Sequence, residues 1–249
     1  MNPKRSVGIV TIATGPYANF FAGWYEAAKM LFLPDLNRKF YLITDAEGYL
    51  PYCDQEDLTC LQVKHEPWPN VALRRWEYLL NLQSMLSTHT YTVFMQANLR
   101  PLRPVRIDQL SPGYKYDGLF AVHHCDFKPG KYKHMYEYER NPDSAACIVE
   151  GQGEVYYQSG FFGGYTEDVL EMCATCYKWT EQDREKGIVP VWHDESYYNK
   201  YLLDKKPLIL DGSQWLVPPY DIQDAYNPRY IIYQLDKSLF MDVKAFKGK

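Results

Sequence analysis

The first hundred residues alternate between short apolar runs and amphipathic segments. A continuous apolar run at 6–13 predicts a buried strand, 40–44 and 91–95 predict two more, and 58–63 gives a weaker strand signal. Apolar residues recur at helical spacing from Tyr17 to Leu33, where Pro34 ends the pattern, and a second helix is predicted from Asn70 to about Leu86. Strands that alternate with helices predict an α/β fold with a Rossmann-like, mostly parallel sheet flanked by helices.

The rest of the chain has a less regular pattern. Residues 102–158 are rich in Pro, Gly and Tyr and predict irregular structure, whereas 156–164 predicts a tight strand with a glycine bend. Helical spacing returns at 169–179 and at 197–203. We see no linker or repeat, and 249 residues suffice for one sizeable core, so one domain is favoured over two small ones.

Composition narrows the function classes. The net charge is −4, which argues against nucleic-acid binding because phosphate neutralisation needs a basic surplus. The 23 tyrosines, 11 phenylalanines and 6 tryptophans suit a sugar-binding surface, although most of them are expected in the core.

Six cysteines occur, and the apolar run at 7–13 is too short for a secretory or membrane segment. We therefore predict reduced cysteines and a cytoplasmic protein. Cys173 and Cys176 have C-x-x-C spacing but lie in a predicted helix without a second ligand pair, which favours buried thiols over a metal or redox site.

Ligands of parallel α/β sheets bind at the carboxyl ends of strands, here 13–15, 44–45 and 96–98. Many nucleotide-sugar enzymes place D-x-D at such an end to hold Mg²⁺ or Mn²⁺, but Gln96 and Asn98 are amides, so we predict no metal. Without a metal, arginine or lysine side chains must offset the charge of a bound diphosphate. The alternative for each candidate is an ordinary surface residue. The candidates are Arg74, Arg75, Arg100, Arg103 and the terminal lysines.

Two further segments can carry chemistry. Small residues and aromatics alternate at 156–164, which suits close approach to a ligand or only a tight strand. Residues 191–196, Val-Trp-His-Asp-Glu-Ser, place two carboxylates where they can act at an anomeric carbon or simply cap the next helix. The residues themselves leave both alternatives open.

The chain resembles glycosyltransferase family 6, the histo-blood-group A/B and α1,3-galactosyltransferase family, and in particular its bacterial, metal-independent members. The resemblance spans about residues 7–210 and rests on ordered segments. They are Ile12–Tyr17, Tyr41–Asp45, Leu73–Arg75, Tyr138–Arg140, Tyr156–Tyr157 with Gly160–Gly164, and Val191–Ser196 with Asn199–Tyr201.

The resemblance implies a GT-A-type fold and a retaining transfer from UDP-GalNAc or UDP-Gal. The new bond would be α1,3, to a galactose that often carries α1,2-fucose. It also implies one catalytic domain over 1–249, with a nucleotide-binding part at about 1–100, an acceptor-binding part at about 101–236 and a flexible basic tail at 237–249. That tail is either a frayed end or a cover whose lysines reach a diphosphate.

The resemblance also implies roles for individual residues. Glu195 would be the catalytic carboxylate and contact the acceptor together with Trp192 and His123. The donor would contact strand ends, the glycine-rich segment and the W-H-D-E-S segment, through Ile12, Ala13, Thr14, Tyr17, Asp45, Arg75, Gln96, Ala97, Asn98, Gln158, Ser159, Gly160, His193 and Asp194. The family's H-P-G-F-Y acceptor loop is changed here to His123-His124-Cys125-Asp126-Phe127, and Gly160 leaves room for an N-acetyl group.

Other functions remain as alternatives. A sugar-1-phosphate nucleotidyltransferase would need a glycine-rich phosphate loop and metal carboxylates, which the sequence lacks. A non-catalytic saccharide-binding protein and a metal-dependent sugar-nucleotide enzyme stay open. The expected partners are a UDP-sugar donor and an oligosaccharide acceptor, and the acceptor options include a lipid-linked saccharide and lipopolysaccharide. We expect at most a peripheral contact with the inner membrane face, through Arg100, Arg103 and Arg106.

Overall fold

The computed structural model describes residues 5–47, 53, 55–131, 133–220 and 227–246. Within these ranges the strands are β1 (Ser6–Ile12), β2 (Asn37–Thr44), β3 (Leu58–Gln62), β4 (Tyr91–Met95), β5 (Leu99–Pro101), β6 (Leu119–His123), β7 (Tyr157–Tyr165), β8 (Leu208–Leu210) and β9 (Ile232–Gln234). The helices are α1 (Phe21–Leu31), α2 (Asn70–Leu73), α3 (Arg75–Asn81), α4 (Gln83–Leu86), α5 (Thr166–Glu185), α6 (Asp194–Leu202), α7 (Gly212–Trp215) and α8 (Val243–Phe246). Short 3₁₀ turns include Gly15–Phe20 and Lys237–Leu239.

The main sheet has the order β3-β2-β1-β4-β7-β6-β8 over the described residues. Only β7 runs against its neighbours, so the sheet is mostly parallel. The chain moves outward from β1 to β3 and then returns to the other side of β1 with β4. This switch in strand order opens a crevice between the carboxyl ends of β1 and β4, where α/β proteins bind ligands.

Both faces of the sheet are covered. Helix α1 packs on one face with Trp24 fully buried, and α3, α5 and α6 pack on the other, where Trp76 and Tyr198 are buried. Alternate strand residues supply the two cores, as Val93 and Phe94 do from β4. The predicted GT-A-type α/β fold is confirmed.

Strand β7 depends on its glycines. A Cβ on Gly163 would lie 2.5 Å from the Thr92 carbonyl oxygen of β4 and 2.8 Å from the Phe120 ring of β6. Only a residue without a side chain permits this approach. The predicted glycine-containing strand is therefore confirmed.

Several predicted elements need correction. The helix predicted from Asn70 to Leu86 is three short helices, α2 to α4, and the first turn after Gly15 is 3₁₀ rather than α-helical. The region predicted as irregular, 102–158, contains the buried strand β6. Its run Leu119–His123 is short, and pairing with β7 and β8 makes it a strand.

The cysteines behave in two ways. Cys53 and Cys60 form a disulfide across the loop that leads into β3, so the prediction that every cysteine is reduced is wrong for this pair. Cys173 and Cys176 are buried free thiols in α5, as predicted, and burial raises the pKa of Cys173 to about 12. The cytoplasmic location of the protein stays a prediction. The disulfide does not support it, because cytosolic proteins normally keep their cysteines as reduced thiols. Among the described residues, no helix has both the length and the apolar character to cross a membrane.

Candidate active site

A cleft with a volume of about 270 Å³, partly open to solvent, lies at the switch point between β1 and β4. Its walls come from the ends of these strands, the start of β7, the helix α3, the segment that leads into α6, and the C-terminal segment. Twelve predicted site residues line it: Ile12, Thr14, Tyr17, Arg75, Gln96, Gln158, Ser159, Gly160, Trp192, His193, Asp194 and Glu195.

Glu195 lies in the first turn of α6, and its two carboxylate oxygens accept hydrogen bonds from β7 and from the residue just before that strand. The Ser159 N–H donates to Oε2 (2.8 Å), and the Tyr156 hydroxyl donates to Oε1 (3.1 Å). Burial raises the pKa of Glu195 to about 7, and the charge of Asp194 acts in the same direction while the two hydrogen bonds oppose it. The carboxylate is therefore partly ionised at neutral pH and faces the cleft.

A bulge in β7 makes the Ser159 N–H available. The register between β6 and β7 shifts, so that Ala121 pairs with Phe162 whereas Val122 pairs with Gln158. The residues between Gln158 and Phe162 have no partner on β6, and the Ser159 N–H turns to Glu195 instead of entering the ladder. Bulges re-aim side chains and backbone groups next to active sites in this way.

Asp194 is held by Arg75 of α3. Arg75 Nη1 lies 2.6 Å from Asp194 Oδ2 and also donates to the Ser159 carbonyl oxygen (2.8 Å), and the Ser159 hydroxyl donates to the same Oδ2 (3.1 Å). Both charged side chains are buried, and such a charge-assisted pair is strong. Neither Asp194 nor Glu195 makes a side-chain bond at the cap of α6; their bonds go to β7 and α3.

Asn199 fixes α6 against β7 one turn after Glu195. Its Oδ1 accepts from the Tyr157 N–H (2.8 Å), and its Nδ2 donates to the carbonyl oxygens of Tyr157 (2.9 Å) and Glu195 (3.0 Å). Asn199 is buried, so these bonds are shielded from water. This clamp places Glu195 opposite Ser159.

The backbone just before the two carboxylates is strained. His193 has φ +53° and ψ −121°, which a residue with a side chain rarely adopts. Strain of this kind is concentrated at functional sites. The His193 ring packs edge-on against Trp68, with centroids 4.6 Å apart, and Trp192 is 41% exposed at the rim. An exposed indole beside two carboxylates suits stacking against a sugar ring.

The strand-end amides have different positions. Gln96 lines the cleft, and its Oε1 would lie 3.1 Å from a Cβ on Gly160. Asn98 is buried and its Nδ2 lies 3.4 Å from the Leu235 carbonyl oxygen, outside the cleft lining. Only one of the two amides therefore lines the cleft, and together they do not offer the donor set of two carboxylates that a hard dication prefers.

Other predicted residues lie around the cleft rather than in its lining. Ala13 and Ala97 are fully buried in the core. Asp45 accepts a hydrogen bond from the Gly15 N–H (2.8 Å) and contacts His65 Nδ1 (2.5 Å), so it fixes the turn that presents Thr14.

His123, predicted to contact the acceptor, is buried. Its Nδ1 lies 2.9 Å from the His124 carbonyl oxygen and its Nε2 lies 3.3 Å from Asp211 Oδ1. Among the described residues, the His/Cys/Asp/Glu side chains close enough to share a metal ion are His124, Cys125 and Asp126, none of which lines the cleft.

Most of the arginines that we considered as diphosphate ligands bind other groups of the protein instead. Arg74 pairs with Glu66 and Glu77, and Arg100 donates to backbone carbonyl oxygens that include that of Phe20. Arg103 donates to the carbonyl oxygens of residues 227 and 228. Arg75 alone of these four lines the cleft, and the internal bonds of Arg100 and Arg103 leave them poorly suited to a membrane contact.

The C-terminal segment covers one side of the cleft. Lys237, Met241 and Val243 line it, the Phe240 ring packs on Phe20 with centroids 4.5 Å apart, and Lys237 Nζ lies 5.5 Å from the Tyr17 ring centroid. The structure therefore favours the cover over the frayed end for this part of the tail. Lys247 and Lys249 lie outside the described residues.

Sequence reasoning missed some residues of the lining. They are Trp68, Val71, Ala72, Phe94, Gln234, Met241 and Val243. Phe94 was predicted only as a strand residue. The others follow no motif, and tertiary contact alone brings them to the cleft.

Known proteins similar to this chain point to one family. The model of glycosyltransferase family 6 matches residues 2–224. The O-antigen biosynthesis glycosyltransferase WbnI of Escherichia coli is 28% identical over 82% of this chain and 85% of its own length. The histo-blood group ABO system transferase 1 of Rattus norvegicus is 30% identical over 82% of this chain, and the globoside alpha-1,3-N-acetylgalactosaminyltransferase 1 of Gallus gallus is 26% identical over 85%.

The alignments cover 58% and 61% of the lengths of the rat and chicken proteins. The family match nevertheless spans nearly all of this chain, and Trp192, His193, Asp194 and Glu195 of the W-H-D-E-S segment line the cleft. The chain belongs to glycosyltransferase family 6, a family of hexosyltransferases.

Proposed function

We propose that this chain transfers GalNAc or Gal from UDP, with retained anomeric configuration, to O3 of a galactose in an acceptor glycan. The observation that carries the proposal is the placement of Glu195. Its carboxylate is fixed by two hydrogen bonds at a strand-switch cleft, next to a second carboxylate that an arginine holds. A fixed carboxylate at an anomeric carbon can act as a nucleophile or stabilise oxocarbenium-like charge.

The cleft has suitable positions for each part of a UDP-sugar. Tyr17, Thr14 and Ile12 at the end of β1 suit the uridine, because an aromatic ring can stack on the base. Lys237 on the same side supplies a cation for the diphosphate, and the sugar would lie toward Glu195. Oligosaccharide would then enter past the exposed Trp192.

In the reaction, the bond between the anomeric carbon and the UDP oxygen breaks, and O3 of the acceptor bonds to that carbon. The O3 proton passes to the departing phosphate or to solvent. Glu195 either forms a covalent glycosyl intermediate or stabilises a front-face transition state, and both routes retain configuration. Asp194, held by Arg75, would accept hydrogen bonds from donor-sugar hydroxyls.

We further propose that no metal ion takes part. Gln96 offers an amide where D-x-D would supply a carboxylate, and Asn98 turns toward the Leu235 carbonyl oxygen. Lys237 and backbone N–H groups would offset the charge of the leaving diphosphate instead. Activity in excess EDTA should equal that without EDTA, and a strict need for Mn²⁺ or Mg²⁺ would refute this part.

GalNAc is the preferred donor in this proposal. Gly160 has no side chain at the cleft, and the space beside it ends at Gln96 Oε1. Gln158 and Ser159, which precede Gly160 on β7, also line the cleft.

The test is UDP release. Purified protein is incubated with UDP-GalNAc, UDP-Gal, UDP-GlcNAc or UDP-Glc and with galactosides with and without α1,2-fucose. We expect UDP and an acceptor extended by one sugar with the galacto-configured donors, and NMR should show an α1,3 linkage. A saccharide-binding protein without catalysis would release no UDP from any combination, and that result would refute the proposal.

A further inference from the structure

We propose that Tyr156 is a positioning residue whose hydroxyl holds Glu195 ionised and oriented for transfer. This inference rests on the proposed function, because it gives Glu195 a task that requires its charge. It concerns a residue that does not line the cleft and that acts only through the carboxylate it contacts.

The Glu195 carboxylate accepts one hydrogen bond from a backbone group and one from a side chain. The Ser159 N–H belongs to the backbone of β7, so the strand fixes its position. The Tyr156 hydroxyl comes from a side chain, and its direction depends on where the ring is held. Removal of the hydroxyl would leave Oε1 without this donor while the bond to Oε2 stays.

The Tyr156 ring is held by an aromatic cluster. It is 2% exposed, and its centroid lies 5.4 Å from those of Phe127 and Tyr138 and about 6 Å from those of Tyr136 and His124. The Tyr138 hydroxyl donates to the Val155 carbonyl oxygen (2.7 Å), which ties the cluster to the start of β7. Such packing pre-organises the Tyr156 hydroxyl toward Glu195 before any substrate binds.

The electrostatic surroundings explain why the hydroxyl matters. Burial and Asp194 disfavour the charged form of Glu195, whereas the donors Ser159 and Tyr156 favour it. The other charged or titratable groups near this pair act indirectly. They include Arg75, which neutralises Asp194, and Tyr198, whose own pKa is raised by burial. Around Tyr156 they also include Glu137, Tyr136, Tyr138 and His124, and the pKa of Tyr156 is raised mainly by burial, then by Glu195 and to a lesser extent by Glu137.

The primary test compares Tyr156→Phe with the control Tyr138→Phe, which removes a hydroxyl from the same cluster without contact to Glu195. A hydrogen bond to a charged group is strong enough to shift a carboxyl pKa by about one unit. In Tyr156→Phe we therefore expect the midpoint of the low-pH fall in kcat to shift to a pH about one unit higher than in wild type. At pH values below both midpoints, the kcat of the variant should be roughly tenfold lower than that of wild type. Tyr138→Phe should keep the wild-type midpoint. An equal loss at every pH in Tyr156→Phe would show a packing role only and overturn the inference.

A second measurement needs no turnover. Carbon-13 NMR of the Glu195 carboxyl, assigned with Glu195→Gln, is followed through a pH titration of the unliganded protein. Tyr156→Phe should raise the midpoint, whereas 2,3-difluorotyrosine at position 156, a stronger donor of the same size, should lower it. An unchanged midpoint in both variants would overturn the inference. Wild-type protein that releases no UDP would instead refute the proposed function, and the titration would still decide whether Tyr156 holds the charge.

Discussion

Glu195→Gln should make the protein more stable at neutral and alkaline pH. The folded state raises the pKa of this carboxyl from 4.5 to about 7, mainly because the group is buried. In the unfolded chain the carboxyl ionises near its ordinary value. Folding therefore forces an ionised Glu195 into surroundings that disfavour its charge, and an uncharged amide avoids that cost.

The magnitude follows from the two pKa values. Between pH 4.5 and 7 the folded state binds more protons than the unfolded state, so the contribution of Glu195 to stability falls as pH rises. The difference between 4.5 and about 7 corresponds to about 3 kcal/mol, which is fully expressed above pH 7 and absent below pH 4.5. The Gln side chain keeps the size of Glu, so packing changes little.

The assay is urea unfolding of wild type, Glu195→Gln and the control Glu185→Gln, followed by circular dichroism at several pH values. Glu185 lies exposed in the last turn of α5, and its substitution should leave stability almost unchanged. We expect the stability gain of Glu195→Gln to grow from near zero at pH 4.5 to about 3 kcal/mol at pH 8. A gain that does not depend on pH, or a loss at pH 8, would refute the reasoning.

Three further predictions test the clamp, the donor pocket and the cover. Asn199→Ala removes both bonds to the Tyr157 backbone and should cost about 3 kcal/mol in urea unfolding, because it leaves buried groups unpaired; a loss below about 1 kcal/mol would contradict the clamp. Gly160→Ala places a Cβ 3.1 Å from Gln96 Oε1 and should raise KM for UDP-GalNAc more than for UDP-Gal, and equal changes would argue against this pocket. Lys237→Ala should raise KM for the UDP-sugar about tenfold through loss of a phosphate contact, and an unchanged KM would place the diphosphate elsewhere.

The sequence predicted β1 to β4 because each contains an apolar run, and most residues of β1, β2 and β4 are buried, whereas in β3 only Leu58 is. It predicted the buried face of residues 70–86 as well, since Trp76, Leu79, Leu82 and Leu86 are all buried. The spacing could not reveal that the backbone breaks into three helices, because α2 to α4 still present the same face. Strand β6 was missed because its run is short, and its neighbours β7 and β8 come later in the chain.

The candidate site was predictable where residue types are informative. Two adjacent carboxylates in the W-H-D-E-S segment indicated either a helix cap or chemistry, and periodicity could not choose between them. The choice depends on contacts with Arg75 and Ser159, which lie 119 and 36 residues away from their partners Asp194 and Glu195. The approach of Trp68 to His193 and of the C-terminal segment to Tyr17 likewise follows from tertiary packing alone.

The disulfide illustrates another limit. Cys53 and Cys60 are seven residues apart, and no pattern in the sequence distinguished them from the four free cysteines. Their Cα atoms lie 5.6 Å apart, within the range that a disulfide requires. Loop geometry of this kind depends on the local backbone path rather than on hydrophobic periodicity.

The central claim is that Glu195 performs the transfer of a galactose-type sugar from UDP. Its most direct test is product formation by Glu195→Gln and wild type, with the same UDP-GalNAc and fucosylated galactoside, at a pH where both are shown to be folded. The account predicts that the variant keeps UDP-sugar binding but loses at least about 99% of transfer, as removal of a nucleophilic or charge-stabilising carboxylate should cause. Wild-type turnover in Glu195→Gln would contradict it.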